Sequence, residues 1–152
     1  MEFILQQVAD NCTDFFNFSE SKIFNDEEMY SYFHFMEDFS TLINGIATMM
    51  LEVFFSKLDG KLYKLIRQEK RYHVQEKARE QTLATKWGDE KIVRRCYKDN
   101  VSGKFVYLLD ALLALPSYKR IDPYCASEII KHATSMSYAK AAEASTPSKL
   151  SR

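Results

Sequence analysis

The stretch that decides the fold of this chain lies in its middle third. It reads Thr82-Leu-Ala-Thr-Lys-Trp-Gly-Asp-Glu90, then Ile92-Val-Arg-Arg-Cys-Tyr-Lys-Asp99, then Ser102-Gly-Lys-Phe-Val-Tyr-Leu-Leu-Asp110. These segments are rich in β-branched and aromatic residues and show the period of two that is typical of strands. They predict strands at 82–87, 91–98 and 104–109, with 72–79 as a candidate edge strand. The strands are expected to form an antiparallel meander.

Turn signals separate these strands. Gly88-Asp89 predicts a two-residue type II′ turn between the first and second strands. The segment Asp99-Asn-Val-Ser-Gly103 predicts a longer turn before the third. On the second strand, alternation places Arg94 on one face and Arg95 on the other, so each face of the sheet is expected to carry one arginine.

A long helix is predicted before the sheet, from Asp26 to about Gln68, a range without proline. Asn25 or Asp26 is the predicted N-cap. Apolar residues recur along the helix at steps of three and four: Met29, Tyr32, Met36, Phe39, Ile43, Ile46, Met50 and Val53. This seam has two interpretations: it packs inside the domain, or it pairs two protomers. The region from Phe3 to Phe24 is predicted to supply a short helix that covers part of the same face.

The C-terminal part predicts helices. Leu108 to Leu115 is an apolar segment expected in the core. Asp122 caps a helix whose first residue is Pro123 and which ends near Ser135. Ser137 predicts the cap of a second short helix, 138–144, and Thr146-Pro147 predicts a third. This layout matches a helix-turn-helix of homeodomain type that is incomplete at Arg152; the alternative is a plain helical hairpin.

The expected fold class is therefore α+β, with a long N-terminal helix, a small antiparallel β-meander and a C-terminal helical hairpin. Aromatic residues make up 14% and hydrophobic residues 46% of the chain, which favours a folded protein. The predicted segments are 1–71, a helical part; 72–115, the basic meander; and 116–152, the incomplete helix-turn-helix.

Charge is unevenly distributed along the chain although the formal net charge is zero. Residues 1–56 carry a net charge of −9, residues 57–104 carry +7, and residues 105–152 carry +2. An excess of Lys and Arg is what binding to a phosphate backbone requires. The predicted DNA-binding residues are Lys86, Lys91, Arg94, Arg95, Lys98, Lys104, Lys149 and Arg152. Two alternatives stay open: the acidic and basic parts neutralise each other, or the bases protect sheet edges from pairing.

The sequence shows no catalytic constellation. Its acids cluster on a helix or stand in turns, and no Gly-rich phosphate-binding loop is present. Cys125 and His132 form at most half a metal site. We therefore expect no enzyme activity, no cofactor and no metal. The three cysteines are odd in number and lack CxxC spacing, which argues against a disulfide framework and fits a reducing cytosol. The N-terminus lacks a secretory pattern, and the longest apolar run, 46–51, is too short to span a bilayer. These features predict a cytoplasmic protein without a membrane partner.

The motifs quoted above continue with Tyr118-Lys-Arg-Ile-Asp-Pro123 and Ser137-Tyr-Ala-Lys-Ala-Ala-Glu143. Their order and spacing, from Tyr72 to about Arg152, resemble the N-terminal region of ISLre-type insertion-sequence transposases, a family long catalogued as uncharacterised proteins. The resemblance implies a DNA-binding and assembly region, truncated before a catalytic domain of ribonuclease H type. It also implies DNA as a partner, and another copy or a full-length transposase as a partner of the long helix. The alternative is a stand-alone helical interaction or dimerisation module that binds no nucleic acid.

Overall fold

The computed structural model of the chain describes residues 2–25, 29–116 and 120–145. Its elements, in chain order, are α1 (Glu2–Asn25), α2 (Tyr32–Ile66), β1 (Tyr72–Thr85), β2 (Gly88–Asp99), β3 (Phe105–Val106), α3 (Leu108–Leu112) and α4 (Pro123–Ser145). The three strands form one antiparallel sheet in the order β1-β2-β3. The predicted α+β class is confirmed.

The first two helices pack against each other through aromatic rings. Phe15 of α1 lies with its ring centroid 5.5 Å from that of Phe35 and 5.8 Å from that of Phe39, both on α2. At 24 residues, α1 is longer than the short helix predicted there. The predicted N-cap is wrong: Asn25 is the last residue of α1, and Asp26 lies outside the described residues. Ser31 precedes α2 instead, and its backbone N–H donates to Nδ1 of His34 at 3.3 Å.

The first two strands form a long hairpin whose details differ from the prediction. The predicted edge strand at 72–79 is not separate, because β1 continues through two irregularities of register on either side of Glu76. Thr85 pairs with Gly88, so the loop is Lys86-Trp87 and the predicted turn at Gly88-Asp89 is wrong. The Thr85 hydroxyl closes the turn, since it donates to the Gly88 carbonyl at 2.8 Å and accepts from the Trp87 N–H at 3.1 Å.

After the hairpin, the chain crosses one face of the sheet. β3 pairs with β2 only at 105–106, shorter than the predicted 104–109, because the chain turns into α3 at Leu108. Beyond α3 it reaches the outer edge of β1, where Asp122 donates its N–H to the carbonyl of Ala84 at 3.1 Å. Residues 105–106 therefore lie beside the outer edge of β2, and residues 120–122 lie beside the outer edge of β1.

The core lies where the second half of α2 meets the sheet and α3. Its buried members are Phe55, Leu83, Ile92 and Leu109, and five partly buried leucines pack around them: Leu51, Leu58, Leu62, Leu113 and Leu115. Burial of these side chains removes apolar surface from water and stabilises the arrangement by about 25 cal/mol for each Å². The predicted core role of the 108–115 segment is confirmed by Leu109, which is 0% exposed.

The last helix begins as predicted and ends later. Oδ1 of Asp122 accepts the Cys125 N–H at 2.9 Å, so Asp122 caps α4 and Pro123 is its first residue. The predicted break before Ser137 is wrong, since α4 is continuous to Ser145. The Ser135 hydroxyl bonds back to the carbonyl of His132, and the alanine-rich sequence that follows favours a helix. The predicted third helix, from Thr146, lies outside the described residues.

Candidate nucleic-acid interface

Arg94 is packed into the fold between β2 and α3. As predicted, it lies on the face of β2 opposite to that of Arg95. Its Nε is 2.6 Å from Oδ1 of Asp110, its Nη2 donates to the side chain of Gln81, and its guanidinium lies 4.2 Å from the ring centroid of Tyr107. With its side chain only 6% exposed, Arg94 is placed to hold α3 on the sheet.

Arg95 is engaged on the opposite side, against α2. Its guanidinium pairs with Asp59 and lies 4.6 Å from the ring centroid of Tyr63, and its backbone N–H donates to Oδ1 of Asp59 at 3.1 Å. Its side chain is 25% exposed. Since both guanidinium groups make internal contacts, the geometry does not favour the contacts with the backbone of a DNA duplex that the sequence predicts for Arg94 and Arg95.

The four predicted sheet lysines are exposed: Lys86, Lys91, Lys98 and Lys104. They are not gathered on one face. Lys86 lies at the tip of the hairpin, Lys91 near the middle of β2, and Lys98 and Lys104 at its base. Within the described ranges none of the four forms an ion pair, and Lys86 contacts rings instead, with Nζ 5.4 Å from the centroid of Trp87. The other two predicted residues, Lys149 and Arg152, lie outside the described residues.

The turn at the base of the hairpin is organised by Asp99. Its carboxylate accepts bonds of 3.2 Å from Nε and Nη2 of Arg71, and further bonds from the Val101 N–H at 3.0 Å and the Ser102 hydroxyl at 2.9 Å. The Arg71 guanidinium, helped by the Val101 N–H, lowers the pKa of Asp99 to about 2. The turn that carries Lys104 is therefore held by an ionised carboxylate at neutral pH.

A groove of about 1050 Å³ lies between β1 and two parts of the following chain, residues 105–115 and 120–121. Its lining includes three arginines from different parts of the chain: Arg79, Arg94 and Arg120. The sequence prediction did not include Arg79 or Arg120. Arg79 and Arg94 lie opposite each other in the register of β1 and β2. This register depends on the irregularities in β1, and strand periodicity alone does not reveal it.

The helical hairpin α1–α2 exposes many large apolar side chains. Those at least half exposed are Phe3, Leu5, Phe16, Ile23, Phe24, Tyr32, Phe33, Met50, Phe54 and Leu65. We call this set the apolar surface. In the part of the chain that the structure describes, α2 is the one helix long and apolar enough to cross a membrane by length and composition. That is weak evidence, because core helices of soluble proteins pass the same test, and Phe55 and Asp59 of α2 are buried against the sheet.

No group of three His, Cys, Asp or Glu side chains that could hold a metal ion occurs among residues 2–25, 29–116 and 120–145. Cys125 and His132 both lie on α4, which contacts the rest of the fold mainly at β1.

Comparison with known proteins places this arrangement in a family. Residues 27–152 match the uncharacterised protein family UPF0236. A UPF0236 protein of Caldanaerobacter subterraneus subsp. tengcongensis is 27% identical over 111 residues, which cover 73% of this chain and 24% of that protein. The chain thus matches about a quarter of the length of this relative. No solved structure matches this chain. Because the family match covers most of the chain, including the whole sheet, this protein belongs to the uncharacterised protein family UPF0236.

Proposed function

We propose that this chain is a DNA-binding and assembly region of an ISLre-type transposase. The support is the resemblance of residues 72–152 to that family, together with the exposed lysines on and beside the β1–β2 hairpin. Strand cutting and joining are assigned to other parts of the whole protein, since this chain matches about a quarter of its relative's length. The proposal gives this region no catalytic residue, no cofactor and a cytoplasmic location.

The observation that carries the proposal is the set of four exposed lysines distributed between the tip and the base of the hairpin. β2 has 12 residues and so extends roughly 40 Å, close to the 34–36 Å of one duplex turn. Lys86 and Lys98 lie near its two ends, with Lys91 between them. In the part of the chain that the structure describes, the four ammonium groups form no ion pair, and their spread over about one duplex turn supports contacts with backbone phosphates that are spaced along that turn.

A lysine-to-glutamine variant tests this proposal. The variant changes Lys86, Lys91, Lys98 and Lys104 together. The control changes four exposed lysines elsewhere, Lys57, Lys61, Lys64 and Lys140, and alters net charge by the same amount. Fluorescence anisotropy with a labelled duplex at several salt concentrations gives the affinity and its salt slope.

The wild-type chain is expected to bind duplex at low salt and to lose affinity as salt rises. The sheet variant should reduce the slope of log K against log salt by about 1 for each lysine that contacts a phosphate. The control variant should keep most of the slope. Equal losses in the two variants, or a wild-type chain that binds no duplex at low salt, contradict the proposal.

A second candidate function is a helical interaction module, and the apolar surface on α1 and α2 favours it. Exposed apolar area of this extent usually marks a contact with another molecule. Self-association through α2 is the form that the apolar seam predicts. If the chain also binds DNA, self-association serves the assembly part of the proposed function. If the chain binds no DNA, it is a stand-alone interaction or dimerisation module.

Light scattering after size exclusion separates these outcomes. Replacing Phe33 and Met50 with Ser is expected to convert a wild-type dimer to a monomer. A control that replaces the similarly exposed Val101 and Ile130 with Ser should remain dimeric. A wild-type monomer at high concentration, or wild-type protein that sediments with lipid vesicles, rejects self-association through α2.

A further inference from the structure

The groove defined above brings like charges together. Arg79 of β1 and Arg94 of β2 are direct partners in the antiparallel register, and Arg120 lies across the groove beside the outer edge of β1. Like charges placed opposite each other on neighbouring strands are destabilising. A fold that keeps such a pair needs negative charge near it.

Two acids supply part of that charge. Asp110, on the lining of the groove, pairs with Arg94, and Glu76, outside the lining, lies 3.2 Å from Nη1 of Arg79. In the described part of the chain Arg120 forms no ion pair. Of the other acids on the lining, Glu80 alternates onto the face of β1 opposite to Arg79, and Asp89 lies toward the tip of the hairpin. Of the three arginines on the lining, Arg79 and Arg94 thus have a carboxylate partner, and Arg120 has none among the described residues.

Arg94 also has an unused donor. Its Nε faces Asp110 and its Nη2 donates to Gln81, but its buried Nη1 makes no hydrogen bond within the described residues. Buried donors of this kind are rare because leaving one unsatisfied is costly. Arg94 is 5% exposed and is one of the residues that line the groove.

We propose that this groove binds a phosphate group. The oxygen atoms of a phosphate accept hydrogen bonds from Arg79, from Arg120 and from Nη1 of Arg94. Exposed Phe105 lies on the groove wall and offers an aromatic surface on which a base can stack. At about 1050 Å³ the groove also has room for a nucleoside attached to the phosphate. This inference does not depend on duplex binding by the hairpin lysines.

Thermal unfolding of the 152-residue chain tests the site, with inorganic phosphate replacing chloride at constant ionic strength. Phosphate is expected to raise the unfolding midpoint, and the gain in stability should grow with the logarithm of the phosphate concentration once that concentration exceeds the Kd. Arg120→Gln and Arg79→Gln alter exposed side chains and should leave the fold intact. Each is expected to raise the apparent Kd for phosphate about tenfold. Lys64→Gln, an exposed base on α2, serves as the control and should respond like the wild type.

The same measurement with deoxyadenosine monophosphate and with deoxyadenosine shows whether the groove recognises the phosphate group alone or a whole nucleotide. Tighter binding of the nucleotide than of inorganic phosphate supports the site and indicates a nucleotide ligand. Equal binding supports a site for the phosphate group alone. No stabilisation by phosphate over chloride, or equal weakening in Lys64→Gln and Arg120→Gln, overturns the inference. The quadruple hairpin-lysine variant should keep its phosphate response, which separates this result from the outcome of the duplex experiment.

Discussion

The two ends of α2 differ in what surrounds them. Its second half contributes Phe55 and Asp59 to the buried interior, against the sheet and α3. Its first half packs against α1 and against Tyr30, and Ser19 is the one buried residue of that region among those described. One helix thus joins a region with its own core to a region whose apolar side chains remain uncovered. We therefore expect the sheet region to hold its shape alone, and we propose that the helical hairpin packs against another surface.

The largest expected effect comes from truncating a buried apolar side chain and comparing the result with truncation of an exposed one. Leu109→Ala removes a fully buried side chain and is expected to lower the free energy of unfolding by about 3 kcal/mol. Phe24→Ala, at a position 78% exposed on α1, should change it by less than about 0.5 kcal/mol. Urea denaturation measures both. A large loss in the Phe24 variant would show that the helical hairpin is already packed in solution.

The junction between α2 and β2 is tested through its ion pair. Asp59→Asn leaves the Arg95 guanidinium without a counter-charge, and we expect a loss of about 2 kcal/mol. Glu128→Gln removes the partner of Lys131, whose side chain is 72% exposed, and should cost less than about 0.5 kcal/mol. Denaturation of both variants at pH 7 gives the comparison. Similar small losses would mean that α2 is not held to the sheet by this pair.

A buried acid near the same junction opposes folding at neutral pH. Glu90 is 4% exposed, and burial, with the charge of Glu52 as a smaller cause, raises its pKa. Below its unfolded pKa the carboxyl is protonated in both states, and its contribution to stability is fully present. As pH rises through the folded pKa the unfolded state binds fewer protons than the folded state, and this contribution is lost. We expect Glu90→Gln to stabilise the chain by about 1 kcal/mol at pH 7 and to have little effect below pH 4. Exposed Glu80→Gln is the control, and equal gains in the two variants would exclude burial as the cause.

The smallest effect concerns the turn at the base of the hairpin. Arg71→Gln removes the main cause of the low pKa of Asp99, which should rise from about 2 toward its ordinary 3.8. A carboxyl with a lowered pKa stabilises the fold above its unfolded pKa and loses this contribution as pH falls through the folded value. Acid unfolding of the variant should therefore begin at higher pH. NMR titration of the carboxyl carbon measures the shift, and Lys104→Gln should leave it unchanged.

Local signals in the sequence predicted the elements, and distant contacts decided the roles of the side chains. The proline-free amphipathic run predicted α2, Asp122-Pro123 predicted the start of α4, and alternation placed Arg94 and Arg95 on opposite faces. The partner of Arg95 is Asp59, which lies 36 residues earlier, and no local pattern connects them. Gly88 has a φ of +124°, as a glycine next to a hairpin can, but the Thr85 hydroxyl fixes the loop two residues earlier. Ser137 resembles a cap and yet lies inside a continuous helix.

The carboxylate of Asp59 has a consequence for aggregation. β3 covers β2 only at Tyr97 and Lys98, so the main-chain N–H of Arg95 faces away from β1 beside an otherwise open edge. Because Asp59 accepts that N–H, a strand from a neighbouring molecule cannot bond to the sheet at this point without displacing α2. Loss of Asp59 is thus expected to expose a template for cross-molecular strand addition, and its replacement by Ala should promote fibrils that bind thioflavin.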